Sequence, residues 1–164
     1  MAAIGKPNTA DQFELERFLP YRLSLLSNTV SQGIAQIYQQ THQLSVTEWR
    51  IMAVLGRYPG LTASQLCERT VMDKVSISRG VSTLLDKKMV QRVTDARDRR
   101  KRPLRISAVG KSVLDDVIPF ALEYQAALLG SLSATEWDAF NGMITRLTEA
   151  AGNLNLQRSR PPRG

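Results

Sequence analysis

Apolar residues recur at helical spacing over most of the chain. Leu23, Leu26, Val30, Ile34 and Ile37 share one face after Pro20, which suits a first helical turn, and they predict a helix to about Thr41. A short helix over Asp11 to Phe18 is expected before it. Three hydroxyl residues are each followed three positions later by Glu or Gln: Ser45 by Glu48, Thr62 by Gln65 and Ser133 by Glu136. In each pair the hydroxyl bonds an amide of the first turn and the longer side chain returns to the cap amide. The pairs predict helices at 46–57, 63–70 and 134–153, the first ended by Tyr58-Pro59-Gly60. Asp73 is the natural cap of another helix at 74–87. Met89 to Thr94 and Pro103 to Ser107 form two short strands joined by a charged turn. Ser107 caps a long helix to about Leu129, bent where Pro119 removes the bond to the Asp115 carbonyl. Residues 1–10 and 157–164 are polar, Pro- and Gly-containing tails, and there is no internal repeat.

This order predicts a mainly α protein. Residues 44–107 carry a winged helix–turn–helix, flanked by N-terminal helices in 11–43 and C-terminal helices in 108–156. Both flanks carry apolar stripes that a small winged module does not cover, so they are expected to pack together and against a second copy of the chain. A dimer also suits DNA, since two readers one helical turn apart (roughly 34–36 Å) match a palindromic site.

Charge narrows the partner. From Gln91 to Arg105 there are seven Lys or Arg against two Asp, a local charge of +5, and residues 73–105 carry +7, equal to the formal charge of all 164 residues. Charge this concentrated beside a helix–turn–helix is a footprint for double-stranded DNA. No apolar run approaches the roughly 20 residues that span a bilayer. The N-terminal residues lack an apolar leader core, so the expected compartment is the cytoplasm. One cysteine and one histidine give no disulfide, metal site or cofactor site. No nucleophile–base set or Gly-rich phosphate loop is present, so no enzyme is expected.

The reader resembles that of the MarR regulators, a multiple-antibiotic-resistance type of family. The likeness is carried by Leu61-Thr62, Leu66-Cys67-Glu68-Arg69, Ile77-Ser78-Arg79 and the wing Asp95-Ala96-Arg97-Asp98-Arg99-Arg100, with Leu44 to Arg50 resembling the family's entry to its second helix. It covers roughly residues 20–150. Two positions depart from the pattern. Lys88 stands at a helix end where the family has Gly, and Gly80 replaces a larger apolar residue in the recognition helix, weakening it by about 1 kcal/mol relative to Ala.

In the helix capped by Asp73, the groove-facing residues are Lys74, Val75, Ser76, Ser78 and Arg79, while Ile77, Val81 and Leu84 form the apolar underside. Arg79 suits guanine, Ser76 most bases, and Val75 a thymine methyl; Lys74 suits phosphate. Thr62 and Ser64 can bond phosphate at the start of the preceding helix. The resemblance implies that Arg97 enters the minor groove and that Asp98 pairs with Arg100 to hold the wing tip. Arg99, Lys101 and Arg102 then line the phosphates.

The resemblance also implies a homodimeric repressor released by a small aromatic or anionic effector. Tyr21, Arg22 and Leu25 on the first long helix, with Trp49 and Met52 on the next, could line such a pocket, and plain core packing explains Trp49 and Met52 equally well. A regulator without a ligand, controlled by abundance or a protein partner, and an activator both remain open. Cys67 replaces a small buried Ala, and His42 has a capping or surface role.

Overall fold

The computed structural model describes residues 13–93 and 102–158, which fall into two compact units, one ending at Ala121 and the other starting at Leu122. Among them are six α-helices and one two-stranded sheet: α1 (Leu19–His42), α2 (Val46–Arg57), α3 (Ala63–Thr70), α4 (Lys74–Asp86), β1 (Val90–Arg92), β2 (Leu104–Ile106), α5 (Ala108–Leu129) and α6 (Ala134–Arg158). Among the described residues, no single helix is long and apolar enough to cross a membrane.

The caps set the starts of these helices. Ser45 Oγ accepts the Glu48 amide at 3.2 Å and Glu48 Oε2 accepts the Ser45 amide at 3.3 Å, so the first turn of α2 closes on itself. Thr62 and Gln65 do the same for α3, and Ser133 and Glu136 for α6. Ser107 Oγ accepts the Gly110 amide at 3.0 Å to start α5, and Pro119 lies inside that helix without ending it.

Three differences from the sequence expectation are local. The region before α1 holds a 3-10 turn at Leu15–Arg17 in place of a helix. β1 begins at Val90, not Met89, because the Met89 amide closes the end of α4 on the Leu84 carbonyl. The sheet is then short and antiparallel, Val90 opposite Ile106 and Arg92 opposite Leu104. The last helix runs to Arg158, with Gly152 inside it.

Lys88, at the helix end where the family has Gly, adopts a left-handed backbone with φ +56°, and so do Gln43 and Val71. Val71 is β-branched and 91% exposed, so nothing buried offsets the strain of its turn. Gly80 has a packing reason that outweighs its low helix propensity. A Cβ there would lie 2.7 Å from Ile51 Cδ1 and 3.1 Å from Thr47 Cγ2, so glycine lets α4 lie directly on α2.

The core of the first unit sits between α2, α3 and α4, around Ile51, Leu55, Leu66, Ile77 and Leu84, each 1% exposed or less. It reaches beyond the predicted module: Ala35 and Tyr38 from α1 and Val113, Leu114 and Val117 from α5 are buried in the same cluster. In the second unit no described residue is buried. On α6, Trp137 and Phe140 approach ring to ring at 6.3 Å, and Phe140, Met143, Ile144 and Leu147 are exposed.

Candidate nucleic-acid interface

The second helix of the reader pair, α4, has a buried side and an open side. Ile77, Gly80, Val81 and Leu84 face the core, as their spacing predicted. Lys74, Val75, Ser78 and Arg79 are exposed, Val75 at 58%. Neither Lys74 nor Arg79 forms an ion pair with a described residue, so the surface salt bridge that could have occupied Arg79 is absent there. Ser76 differs from its neighbours. It is half-buried, its amide donates to Asp73 Oδ1 at 2.8 Å, and its hydroxyl donates to Asp73 Oδ2 at 2.6 Å. That leaves Ser76 only its oxygen lone pairs for a base. The same bonds, the Ser76 hydroxyl first and its amide second, hold the Asp73 carboxyl below its ordinary value.

The start of α3 lies beside the base of the wing. Thr62, Ala63, Ser64, Val81, Arg92, Arg102 and Leu104 line a concavity of about 350 Å³. Thr62 is half-buried and its hydroxyl donates to Gln65 Oε1 at 3.1 Å, while Ser64 is exposed. Two of the cations on the wing strands' borders therefore stand over the first turn of α3, a fit for a backbone phosphate. Arg102 is among the phosphate contacts that the sequence suggests. Arg92 is not, although it belongs to the basic run; the antiparallel register that sets it opposite Leu104 is what carries it there. Arg97, Asp98, Arg99, Arg100 and Lys101 lie outside the described residues.

The five residues proposed for an effector do not meet within one chain. Met52 is fully buried in the core, and Trp49 stacks on Tyr38 with centroids 5.3 Å apart. Burial pushes the Tyr38 phenol upward, opposed by the positive charge of Arg50. Tyr21, Arg22 and Leu25 are exposed near the start of α1, and Leu25 lies 13 residues before Tyr38, about 20 Å along the helix. The larger cavity, 630 Å³, lies elsewhere. Gly56 and Arg57 at the end of α2, Pro59 just after it, Arg105 and Ile106 on β2, and Lys111, Leu114 and Ile118 on α5 line it. Lys111 bonds Asp115 at 2.6 Å at its edge. Three separate elements build this cavity, so no local spacing could reveal it.

His42, in the last turn of α1, faces Asp116 of α5 at 3.7 Å, while Asp115 turns to Lys111; adjacent carboxylates thus take different faces. Cys67 is half-buried against the core, a small apolar filler. No cluster of three metal-ligating side chains occurs among the described residues.

Comparison with known proteins agrees with this geometry. Residues 42–101 match the MarR family. The transcriptional regulator HosA of Escherichia coli is 26% identical over 130 residues, 74% of this chain and 96% of that protein. The HTH-type transcriptional repressor NicR of Pseudomonas putida is 26% identical over 111 residues, 68% of this chain and 70% of that one. A MarR/EmrR family regulator from Acinetobacter sp. ADP1 superposes with a TM-score of 0.79 at 22% identity, covering 86% of this chain and 99% of its own. Bordetella bronchiseptica BpsR, whose DNA binding is regulated by 6-hydroxynicotinic acid, superposes with a TM-score of 0.72 at 15% identity over 83% of this chain and 96% of its own.

Proposed function

We propose that the chain, in which residues 42–101 match the MarR family, is a DNA-binding transcriptional regulator of that type that works as a homodimeric repressor of a palindromic operator, released by a small aromatic anion. The observation that carries this reading is the open face of α4: Lys74, Val75, Ser78 and Arg79 stand exposed beside the Thr62, Ser64, Arg92 and Arg102 concavity. Arg79 reads guanine, Val75 meets a thymine methyl, and the concavity holds the backbone. Arg97 enters the minor groove, Asp98 pairs with Arg100, and Arg99 and Lys101 line the phosphates; these roles rest on the family likeness.

Pairing follows from the uncovered apolar residues of α1 and, separately, from those of α6, because an exposed apolar row on a helix marks an interface. Repression is favoured by the likeness to NicR. The effector is assigned to the cavity of 630 Å³, because it places Arg57, Arg105 and Lys111, the last shared with Asp115, around Pro59, Ile106, Leu114 and Ile118. Cations for a carboxylate and apolar walls for a ring are the recognition set for an aromatic acid. Arg105 lies on the wing strand, so a ligand drawn to it acts on the wing directly.

Thermal unfolding and DNA release, measured against benzoic, hydroxybenzoic and hydroxynicotinic acids, test this. A binding acid should raise the midpoint and free the DNA. Arg105→Ala and Lys111→Ala should each weaken the acid about tenfold or more, the worth of a hydrogen bond to a charged group. Acids that neither stabilise the protein nor release DNA would favour a regulator without such a ligand.

A further inference from the structure

The reader helix is held at its far end by one ammonium. Lys87, the residue that closes α4, donates from Nζ to the Gln43 carbonyl at 2.7 Å and to Glu48 Oε2 at 2.9 Å. Gln43 closes α1, and Glu48 lies in the first turn of α2, where its Oε2 also accepts the Ser45 amide. Glu48 is the one charged residue buried among those described, at 8% exposure. Three helix ends therefore converge on one charge. On the other side, the Lys88 carbonyl accepts the Ser107 hydroxyl at 2.6 Å, tying the same end of α4 to the cap of α5.

A buried ion pair adds little net stability, since its desolvation offsets most of its attraction; what it can supply is a fixed geometry. Here the geometry matters because α4 is a lever. Its 13 residues span about 20 Å, so a tilt of about 10° at Lys87 moves the reading turns by about 3.4 Å, one base-pair step.

We infer that Lys87 is a positioning residue: by joining Gln43 and Glu48 it fixes the angle of α4 against α1, and so the separation of the half-sites that a dimer reads. This rests on the dimeric reading above. A direct contact of Lys87 with phosphate is the alternative that the test must separate.

The full chain and its paired variant Lys87→Met with Glu48→Gln, which leaves no lone buried charge, are each used to enrich duplexes from a random-sequence DNA pool. Thermal midpoints and the salt dependence of binding are recorded alongside. Both proteins should enrich the same half-site sequence. The parent should show one separation between half-sites, and the variant should add separations one base pair longer and shorter, with an unchanged salt slope. A variant that keeps the single separation would overturn the inference and leave the pair a purely structural one. A salt slope shallower by about 0.9 per subunit would overturn it in favour of phosphate contact. Should the paired variant unfold, Glu48→Gln alone, which keeps the ammonium on the Gln43 carbonyl, should broaden the separation to a lesser degree, and an unbroadened result would count against the inference equally. A parent that enriches only single half-sites refutes the dimeric reading itself, an outcome visible before any variant is compared.

Discussion

The helices of the reader and the helix α6 both carry large apolar residues, yet they use them differently. Ile51, Leu66, Ile77 and Leu84 disappear into a shared core, whereas Phe140, Met143, Ile144 and Leu147 remain exposed, as do Phe18, Leu19, Leu23 and Leu26 at the start of α1. That core is completed within the first unit by Tyr38 of α1 and by Leu114 and Val117 of α5, so it closes without a second copy. Helices that leave such surface in water gain most from a second copy. On the proposed function, the exposed apolar rows of α6 and of the start of α1 serve pairing, and the open face of α4 serves reading.

The largest expected effect breaks that division at the pairing side. Ile144→Asp with Leu147→Asp places two carboxylates on the exposed apolar row of α6. Sedimentation should then show a monomer in place of a dimer, with the Trp49 fluorescence of the first unit unchanged. A variant that remains dimeric would move the interface elsewhere.

Next in size is a change inside the first unit. A Cβ on Gly110 would overlap the Met89 carbonyl oxygen and crowd Ile106 Cγ2, because α5 starts hard against the end of α4. Gly110→Ala should lower stability by about 3 kcal/mol, at the upper end for overpacking. Chemical unfolding measures it, and a neutral result would mean that the joint between α4 and α5 gives freely.

The smallest effect concerns the reader cap. Asp73 titrates below its ordinary value of 3.8 through its bonds to Ser76. A carboxyl depressed on folding stabilises above its unfolded pKa, and that contribution is lost as pH falls through the folded value. The Ser76 amide should therefore keep its protection from hydrogen exchange at neutral pH and lose it only below about pH 4, the usual range for Asp. In Asp73→Asn the protection should no longer vary with pH over this range. A wild-type loss beginning near pH 6 would contradict the assignment.

Much of this fold was legible because its signals are local. Capping pairs three residues apart placed the starts of α2, α3 and α6, and the alternation of Ile77, Val81 and Leu84 with exposed neighbours gave the face of α4. What was missed depends on contacts far apart in sequence. Gly80 looked like a weak point until α2 was seen to lie against it. The module boundary at 44–107 omitted Tyr38, Leu114 and Val117, which fill the same core from neighbouring helices. The cavity to which the proposed function assigns an effector forms where α2, β2 and α5 meet, from residues that no local spacing brings together. Arg92 was counted as charge but not as a contact, for want of the strand register.

The most direct test of the reading face is Arg79→Ala, measured against the parent on a duplex enriched from a random pool and on single-base variants of it, over a salt series. Arg79 is exposed, unpaired with any described residue, and outside the core, so fold and dimer should persist. If it reads a base edge, affinity should fall by roughly 1–3 kcal/mol per half-site, with preference relaxed at one base pair. Unchanged affinity and base preference, or an even loss across all sequences with a slope shallower by about 0.9 per subunit, would show that α4 does not read bases through Arg79.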